Sequence, residues 1–349
     1  MSAVPETATE DPIAYFVEDQ EYHGKSERTI EAYERVLRDF EGFLADPDRV
    51  PTHPTTPAKA DRRECMAWVH SLRGEYAPST VATYASYLHR FYAYMTQIGV
   101  FEANPMSLVV EEMDESIEKD PARREISIQE MRTFVSAIGH PLDRAVIVML
   151  LKTGMRVGEL CNLDIRDVHL SETTIDSGAV RPTLEARPNT IYVDSTPRRG
   201  NVVNGELREA SNKRRRETYI PIDDELARML EAWVAIRPDP ISEAKPLFLS
   251  TGDDWGHRLT PQSVRHALAG YTSERGWHRT GGTAGENVTP HYFRHFFTTH
   301  LRDRTGDRGV VKYLRGDVAD DIIDTYTHNW GDRVRAVYEE HIYSLVGDR

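Results

Sequence analysis

The stretch His291-Tyr292-Phe293-Arg294-His295-Phe296-Phe297-Thr298-Thr299-His300 decides how this chain is read. Thr289 and Pro290 stand just before it, which suits a helix start with Thr as N-cap and Pro at the first helical position. Residues three and four apart are neighbours on a helix, so His291, Arg294 and His295 share one side. Arg offers a rigid fork of donors that matches a phosphate, and His adds a donor or a proton-transfer group. Two other readings compete: satisfied polar groups on an ordinary helix, and metal ligands at i, i+4. The zinc-protease form of that spacing needs Glu after the first His, but Tyr292 stands there and Arg294 would repel a cation. What favours the anion site is the rest of the chain.

With 349 residues the chain is long enough for two domains with real cores, and its 39% hydrophobic content predicts that it folds. The net charge of −13 does not advertise a nucleic-acid binder, although net charge averages over faces and leaves room for a local basic groove. Only seven of the 43 basic residues are Lys, and the other 36 are Arg. An acidic, Lys-poor surface suits a protein working in high salt; a GC-rich genome favouring Arg codons explains the same bias. Cys65 and Cys161 are the only cysteines, and they read as reduced, buried thiols. The acidic, polar Met1–Asp11 has no signal-peptide core, and the longest apolar run, Ala145–Leu151, is too short to span a bilayer. A soluble, cytoplasmic protein with no membrane contact is expected.

Residues 1–10 read as a loose tail, and residues 11–110 as helical. Ser26 can cap a helix carrying the stripe Tyr33, Leu37, Phe40 and Leu44; a second helix runs through Cys65, Trp68 and Leu72. A third starts at Ser79 or Thr80, carries Tyr84, Leu88, Phe91, Tyr92 and Met95, and ends by Gly99. These aromatic stripes read as the core of a helical bundle, not as base-stacking platforms. Residues 111–125 are almost entirely charged, which predicts an exposed linker. A second domain, residues 126–349, opens on the capping box Ser127-Ile128-Gln129-Glu130. Its next helix, Leu142–Lys152, is apolar nearly all round and should be buried, ending at Gly154. Arg156 then sits in a turn, in Thr153-Gly154-Met155-Arg156-Val157-Gly158-Glu159-Leu160; pairing with Glu159 as a plain surface contact is the alternative to a functional role. Residues 164–212 hold short strand-like pieces such as Thr190–Asp194, and Ser195–Asn212 reads as a long, mobile connection. Lys213-Arg214-Arg215-Arg216, leading into the strand Glu217–Ile222, reads as a solvated hairpin tip that could reach phosphates. Thr260-Pro261 opens a further helix, and the tail carrying Trp330, Val334, Val337, Tyr338 and Ile342 can fold back on its own core or dock on a neighbour.

At this point the residues resemble a family, the tyrosine recombinases or phage-type integrases. Arg156 looks like its first catalytic arginine, and His291, Arg294 and His295 resemble its His-x-x-Arg-His box. Lys213, eight residues before Pro221, stands where the family has a hairpin lysine, and Tyr326-Thr327-His328 resembles the context of its nucleophilic tyrosine. Asp317 lies 23 residues after Arg294 and nine before Tyr326, which fits the family's layout. The resemblance covers roughly residues 11–349 and implies a mainly α fold with a small antiparallel β-sheet: a helical core-binding domain that helps clamp DNA, a linker, and a mixed α/β catalytic domain. Two departures stand out. Gly316-Asp317 replaces the family's Gly-His or Gly-Trp, and a carboxylate cannot donate to phosphate unless protonated. The region between Arg156 and Lys213 is also extended. Asp at that position, with the acidic composition, resembles recombinases of salt-loving archaea.

The resemblance implies a site-specific recombinase. Arg156 and Arg294 would clamp the phosphate, His291 would assist the proton leaving Tyr326, and Lys213 would protonate the departing 5′-oxygen. Asp317 would orient His291 or an arginine. No metal, ATP or other cofactor is expected. The implied partners are double-stranded DNA with a specific recombination site and three further copies in a homotetramer with exchanged tails; an accessory protein is left open. Ser263, Arg265 and Arg275 are candidate base readers by position, Glu159 and His295 supporting groups, and His300 structural. Tyr313, Tyr338 and Tyr343 are alternative nucleophiles, the last two reading as packing residues. A catalytically silent DNA-binding protein and a type IB topoisomerase-like relaxing enzyme are the competing functions.

Overall fold

The computed structural model describes residues 6–50, 53, 55–116, 122–171, 180–317 and 330–346. The chain divides into two compact units, Met1–Pro121 and Ala122–Arg349, and the division falls inside the charged stretch.

The first unit is helical: α1 (Glu6–Glu10), α2 (Pro12–Tyr22), α3 (Glu27–Ala45), α4 (Arg62–Leu72), α5 (Pro78–Gln97) and α6 (Met106–Glu112). Ser26 caps α3 by accepting from the Thr29 amide, and Asp61 with Glu64 closes a capping box on α4. The stripe Tyr33, Leu37, Phe40 and Leu44 is buried, as are Trp68, Phe91 and Tyr92. Edge-on ring contacts join Phe40 to Trp68 and Phe16 to Phe91. The polar ends of the buried rings find partners: Trp68 Nε1 donates to Asp39 (3.0 Å) and Tyr92 Oη to the Pro57 carbonyl (2.8 Å). Two starts differ from expectation. Residues 6–10 form α1, with Ala8 fully buried, because an apolar contact is available to a stretch that looks polar in isolation. α5 begins at Pro78 with Ala77 as an uncapped N-cap, since proline already sets the first-turn φ.

The second unit wraps a larger core around α8 (Pro141–Thr153), which follows α7 (Ile128–Ser136) and is buried on nearly every side. α8 packs against α10 (Asp224–Ile236) and α12 (Pro290–Thr305). Between them run α9 (Val157–Cys161) and α11 (Pro261–Glu274); α13 (Arg308–Arg315) and the C-terminal helix Trp330–His341 complete the unit. A three-stranded antiparallel sheet, in the order β1 (Val168–His169), β2 (Thr190–Val193), β5 (Thr218–Pro221), pairs Val168 with Ile191 and Ile191 with Ile220. Among the described residues no helix is long and apolar enough to cross a membrane. Cys65 and Cys161 are unpaired and buried.

Ser195–Asn212 is not a long, mobile connection. It contains a small hairpin, β3 (Val202–Val203) with β4 (Glu206–Leu207). The hairpin is anchored by Arg208, 1% exposed, which donates to both oxygens of the buried Asp164 (3.1 and 2.9 Å). The C-terminal helix folds back on its own unit. Tyr338 donates to the Lys152 carbonyl (3.2 Å) and Tyr343 to the Leu151 carbonyl, while Arg304 Nε donates to the His341 carbonyl (2.6 Å). Beneath it the buried Lys152 ion-pairs with Asp223 (2.6 Å) and Glu225 (2.5 Å), and Glu225 accepts from the backbone amides of Leu345 and Val346.

Candidate active site

The site is assembled where three helix ends meet. α8 ends at Gly154 in the left-handed conformation (φ 60°), and a Cβ there would stand 2.3 Å from Phe297. Only glycine meets both demands, a positive φ and so close a ring. The turn delivers Arg156 to the N-terminus of α9, where Glu159 accepts from the Arg156 amide (2.9 Å) and pairs with its Nη1 (3.0 Å). Glu159 is fully buried, so this pair is not a plain surface contact.

α12 starts at Pro290 as expected, although the Thr289 side chain makes no capping bond. It carries Arg294 into the interior. There Nη1 donates to the carbonyls of Gly154 (2.7 Å) and Arg315 (2.9 Å), which aims Nη2 outward. α13 ends at Gly316 (φ 71°), and this reversal folds Asp317 back over the helix end. A Cβ at Gly316 would meet Arg214 at 2.8 Å.

The three ends converge on one carboxylate. Asp317 Oδ1 accepts from Arg156 Nη2 (2.7 Å), and Oδ2 from Arg294 Nη2 (2.7 Å). Arg315 Nη2 lies 2.8 Å from the same Oδ2. Burial alone would raise the Asp317 carboxyl, but Arg294, Arg315 and Arg156 hold it below its ordinary value, so it is ionised at neutral pH. Burial, and then Arg156, lower the Arg294 guanidinium to about 10, partly offset by Asp317; it remains charged.

His291 stands on the same side of α12 and keeps an exposed edge. Desolvation of its inner face, followed by Arg123, Arg294, Arg315 and Arg156, pushes its pKa below 6.5. It is therefore neutral at pH 7, with one ring nitrogen able to accept a proton.

The structure thus brings Arg156, His291, Arg294 and Asp317 together. Lys213 is exposed and next to the cluster in sequence, while its neighbour Arg214 is buried inside it, bonded to Glu159 (3.1 Å) and the Leu314 carbonyl (3.1 Å). The basic run is therefore not simply a solvated tip: it is anchored through Arg214, because Glu159 would otherwise lack a second cationic partner. Tyr326 and His328 lie outside the described residues. Tyr313 is buried with its oxygen accepting from the Tyr219 amide (3.2 Å), and Tyr338 and Tyr343 are committed to the core. His295 lies beside the Tyr292 ring, and His300 packs on Phe296 with Nε2 3.3 Å from the Ile126 carbonyl. Arg265 and Ser263 are exposed on α11, whereas Arg275 donates to the Thr133 carbonyl (3.0 Å) and covers Phe134 and Trp277. Among the described residues no group of three His, Cys, Asp or Glu side chains is placed to hold a metal ion.

Arg315 and Arg214 are the site members that neither residue patterns nor the family resemblance singled out. Arg315 had one usable signal: an arginine two residues before an acid across a glycine, which an αL turn brings face to face.

These features agree with what the chain is similar to. The family model "Phage integrase family" matches residues 126–332, and "Phage integrase, N-terminal SAM-like domain" matches residues 15–99. The chain belongs to the phage integrase family and is a tyrosine-type site-specific recombinase, acting through a tyrosine-linked intermediate. Tyrosine recombinase XerD of Listeria innocua is 28% identical over 91% of this chain and 93% of the relative; XerC of Myxococcus xanthus is 25% identical over 90% and 92%. Among solved structures, the Tn1549 transposon integrase in complex with a circular intermediate DNA shares the fold, with a TM-score of 0.63, 17% identity, and coverage of 94% of this chain and 98% of that one. A lambda integrase tetramer bound to a Holliday junction has a TM-score of 0.60 at 14% identity, covering 88% and 76%.

Proposed function

We propose that Arg156, Lys213, His291, Arg294 and Tyr326 carry out the cleavage and rejoining of one DNA strand. The observation that carries this reading is the pair of outward Nη2 groups of Arg156 and Arg294, each 2.7 Å from a different oxygen of one carboxylate. Two donors spaced for two oxygens on one centre suit the non-bridging oxygens of a phosphodiester.

A free tyrosine, with pKa about 10, is a poor nucleophile at pH 7. It becomes effective when the phosphate charge is neutralised and a neighbour takes its proton. The Tyr326 oxygen attacks phosphorus as its proton passes toward the neutral imidazole of His291. The P–O bond to the 5′-oxygen breaks, and Lys213, exposed and able to reach outward, protonates that oxygen. The product is a 3′-phosphotyrosine, which a 5′-hydroxyl reseals in the reverse step. Charge stabilisation by the two arginines is the largest contribution expected in such a site. The burial of Tyr313, Tyr338 and Tyr343 supports Tyr326 as nucleophile.

The substrate is double-stranded DNA with a specific recombination site, and the working assembly a homotetramer, in line with the lambda integrase tetramer on a Holliday junction. Residues 11–110 act as the core-binding domain, 111–125 as linker and 126–349 as the catalytic domain, in a protein of the cytoplasm. The acidic, Lys-poor composition favours operation in high salt.

The test starts from a site recovered by selecting bound sequences from random DNA. A nicked suicide substrate built on it should trap a covalent protein–DNA adduct with the wild type and none with Tyr326→Phe. An adduct that survives Tyr326→Phe removes that residue from the mechanism. Tight binding with no adduct from either protein removes the chemistry.

A further inference from the structure

Resting on that reading, we infer that Arg315 is a further catalytic residue: a third guanidinium that contacts the scissile phosphate, with Asp317 as the positioning residue that holds it there. Three observations meet on it. Arg315 Nη2 and Arg294 Nη2 share one oxygen of Asp317, at 2.8 and 2.7 Å, so the Arg315 guanidinium already stands in the ring of donors around an oxyanion. Arg315 Nε is buried and, among the described residues, has no acceptor. A buried donor without an acceptor is unfavourable, and a phosphate oxygen beside Arg294 would supply one. The third observation is the charge balance. Among the described residues, the guanidiniums of Arg156, Arg214, Arg294 and Arg315 are in direct contact with two carboxylates, Glu159 and Asp317, leaving two positive charges over.

That surplus matches the chemistry. A phosphodiester carries one negative charge, and the five-coordinate state formed by tyrosinate attack carries two. Without Arg315 the guanidinium–carboxylate cluster would itself leave a single positive charge, matching the ground state and leaving the added charge of the transition state to Lys213 and to the His291 imidazolium formed on proton transfer. The ionised Asp317 carboxylate accepts from the guanidiniums and cannot itself donate to a phosphate. Arg315 provides a further donor and the second positive charge within the cluster itself. The αL turn at Gly316 makes the pairing local: it brings the two side chains flanking the glycine onto the same face.

The experiment uses the full chain and two suicide substrates of the selected site. One has the normal phosphodiester at the mapped cleavage position. The other has a methylphosphonate there, which removes one negative charge. Adduct formation is timed at saturating protein for wild type, Arg315→Leu and Arg315→Lys, with melting temperature as a folding control. On the phosphodiester, Arg315→Leu should be slower by about 100-fold or more, with Arg315→Lys recovering part of the rate. On the methylphosphonate, Arg315→Leu should match the wild type, because the charge it would have neutralised is gone. Equal losses on both substrates would mean that Arg315 only shapes the site, and an unchanged rate on the phosphodiester would mean that it does not touch phosphate; either overturns this inference alone. A wild-type chain that forms no adduct on the phosphodiester overturns the underlying cleavage assignment instead.

Discussion

The second unit contains two clusters of arginines around a carboxylate, and they differ in what they leave open. Around Asp164, the side chains of Arg208, Arg258 and Asn204 converge, and Arg258 also meets Glu206. Asp164 and Arg208 are 1% exposed, and the cluster ties the β3–β4 hairpin to the turn after α9. Around Asp317, Arg156, Arg294 and Arg315 converge in nearly the same way, but the side chains of Arg156, Arg315 and Asp317 are 28–31% exposed. The first cluster is sealed and the second has a wet face. Similar residues in similar geometry therefore serve different ends: a sealed ion cluster fixes a hairpin, while a cluster open on one side can admit a second anion beside its own carboxylate.

Removing the central carboxylate should break this comparison most sharply at the sealed site. Asp164→Ala leaves two buried guanidiniums without their shared partner and should destabilise the chain by about 3–5 kcal/mol. Denaturant unfolding of the two proteins measures it; a loss below about 1 kcal/mol would mean that water reaches Arg208 and the cluster is not sealed. At the open site, Asp317→Asn should cost only about 1 kcal/mol, because solvent and salt screen Arg156 and Arg315 while the buried Arg294 keeps the Gly154 and Arg315 carbonyls. It should also sharpen the contrast, since inorganic phosphate should then raise the melting temperature of Asp317→Asn more than that of the wild type. Equal shifts in the two proteins would show that phosphate binds elsewhere.

The smallest effect concerns protons. His291 has its folded pKa pushed below 6.5, first by desolvation and then by its arginine neighbours. A lowered histidine contributes stability that is present above 6.5 and is lost as the pH falls through the folded value, because the unfolded chain binds the proton more readily. If His291 accepts the Tyr326 proton, the acid limb of the cleavage rate should fall below pH 6.5 and disappear in His291→Asn. An NMR titration placing His291 at or above 6.5 would remove the electrostatic account of the site.

Much of the fold was legible because local rules act within a few residues. The capping of α3 by Ser26, the capping box at Ser127, the all-round apolar α8 and its stop at Gly154 follow from side-chain chemistry and period. The Arg294 box and the Arg156 turn were legible as patterns, and the family resemblance added Asp317 to Arg156, His291 and Arg294, the four groups that the structure brings together. What was not legible depended on partners far away in sequence. Ser195–Asn212 looked like loose polar text because Arg208 gives no sign that its carboxylate lies 44 residues earlier. Arg214 looked like one of four solvated basic residues, yet Glu159 and the Leu314 carbonyl bury it.

The sequence by itself determined several helix boundaries, at Ser26, Ser127, Gly154 and Pro290, which faces are apolar, and which residue types stand in order from Arg156 to Tyr326. Those are properties of short windows, set by backbone conformation and side-chain period. Only the tertiary structure decided which charges share a partner. Coulomb energy and desolvation depend on distances through space and on how much water is excluded. Arg156 and Asp317, 161 positions apart, come within 2.7 Å because the C-terminal ends of α8 and α13 meet the first turns of α12.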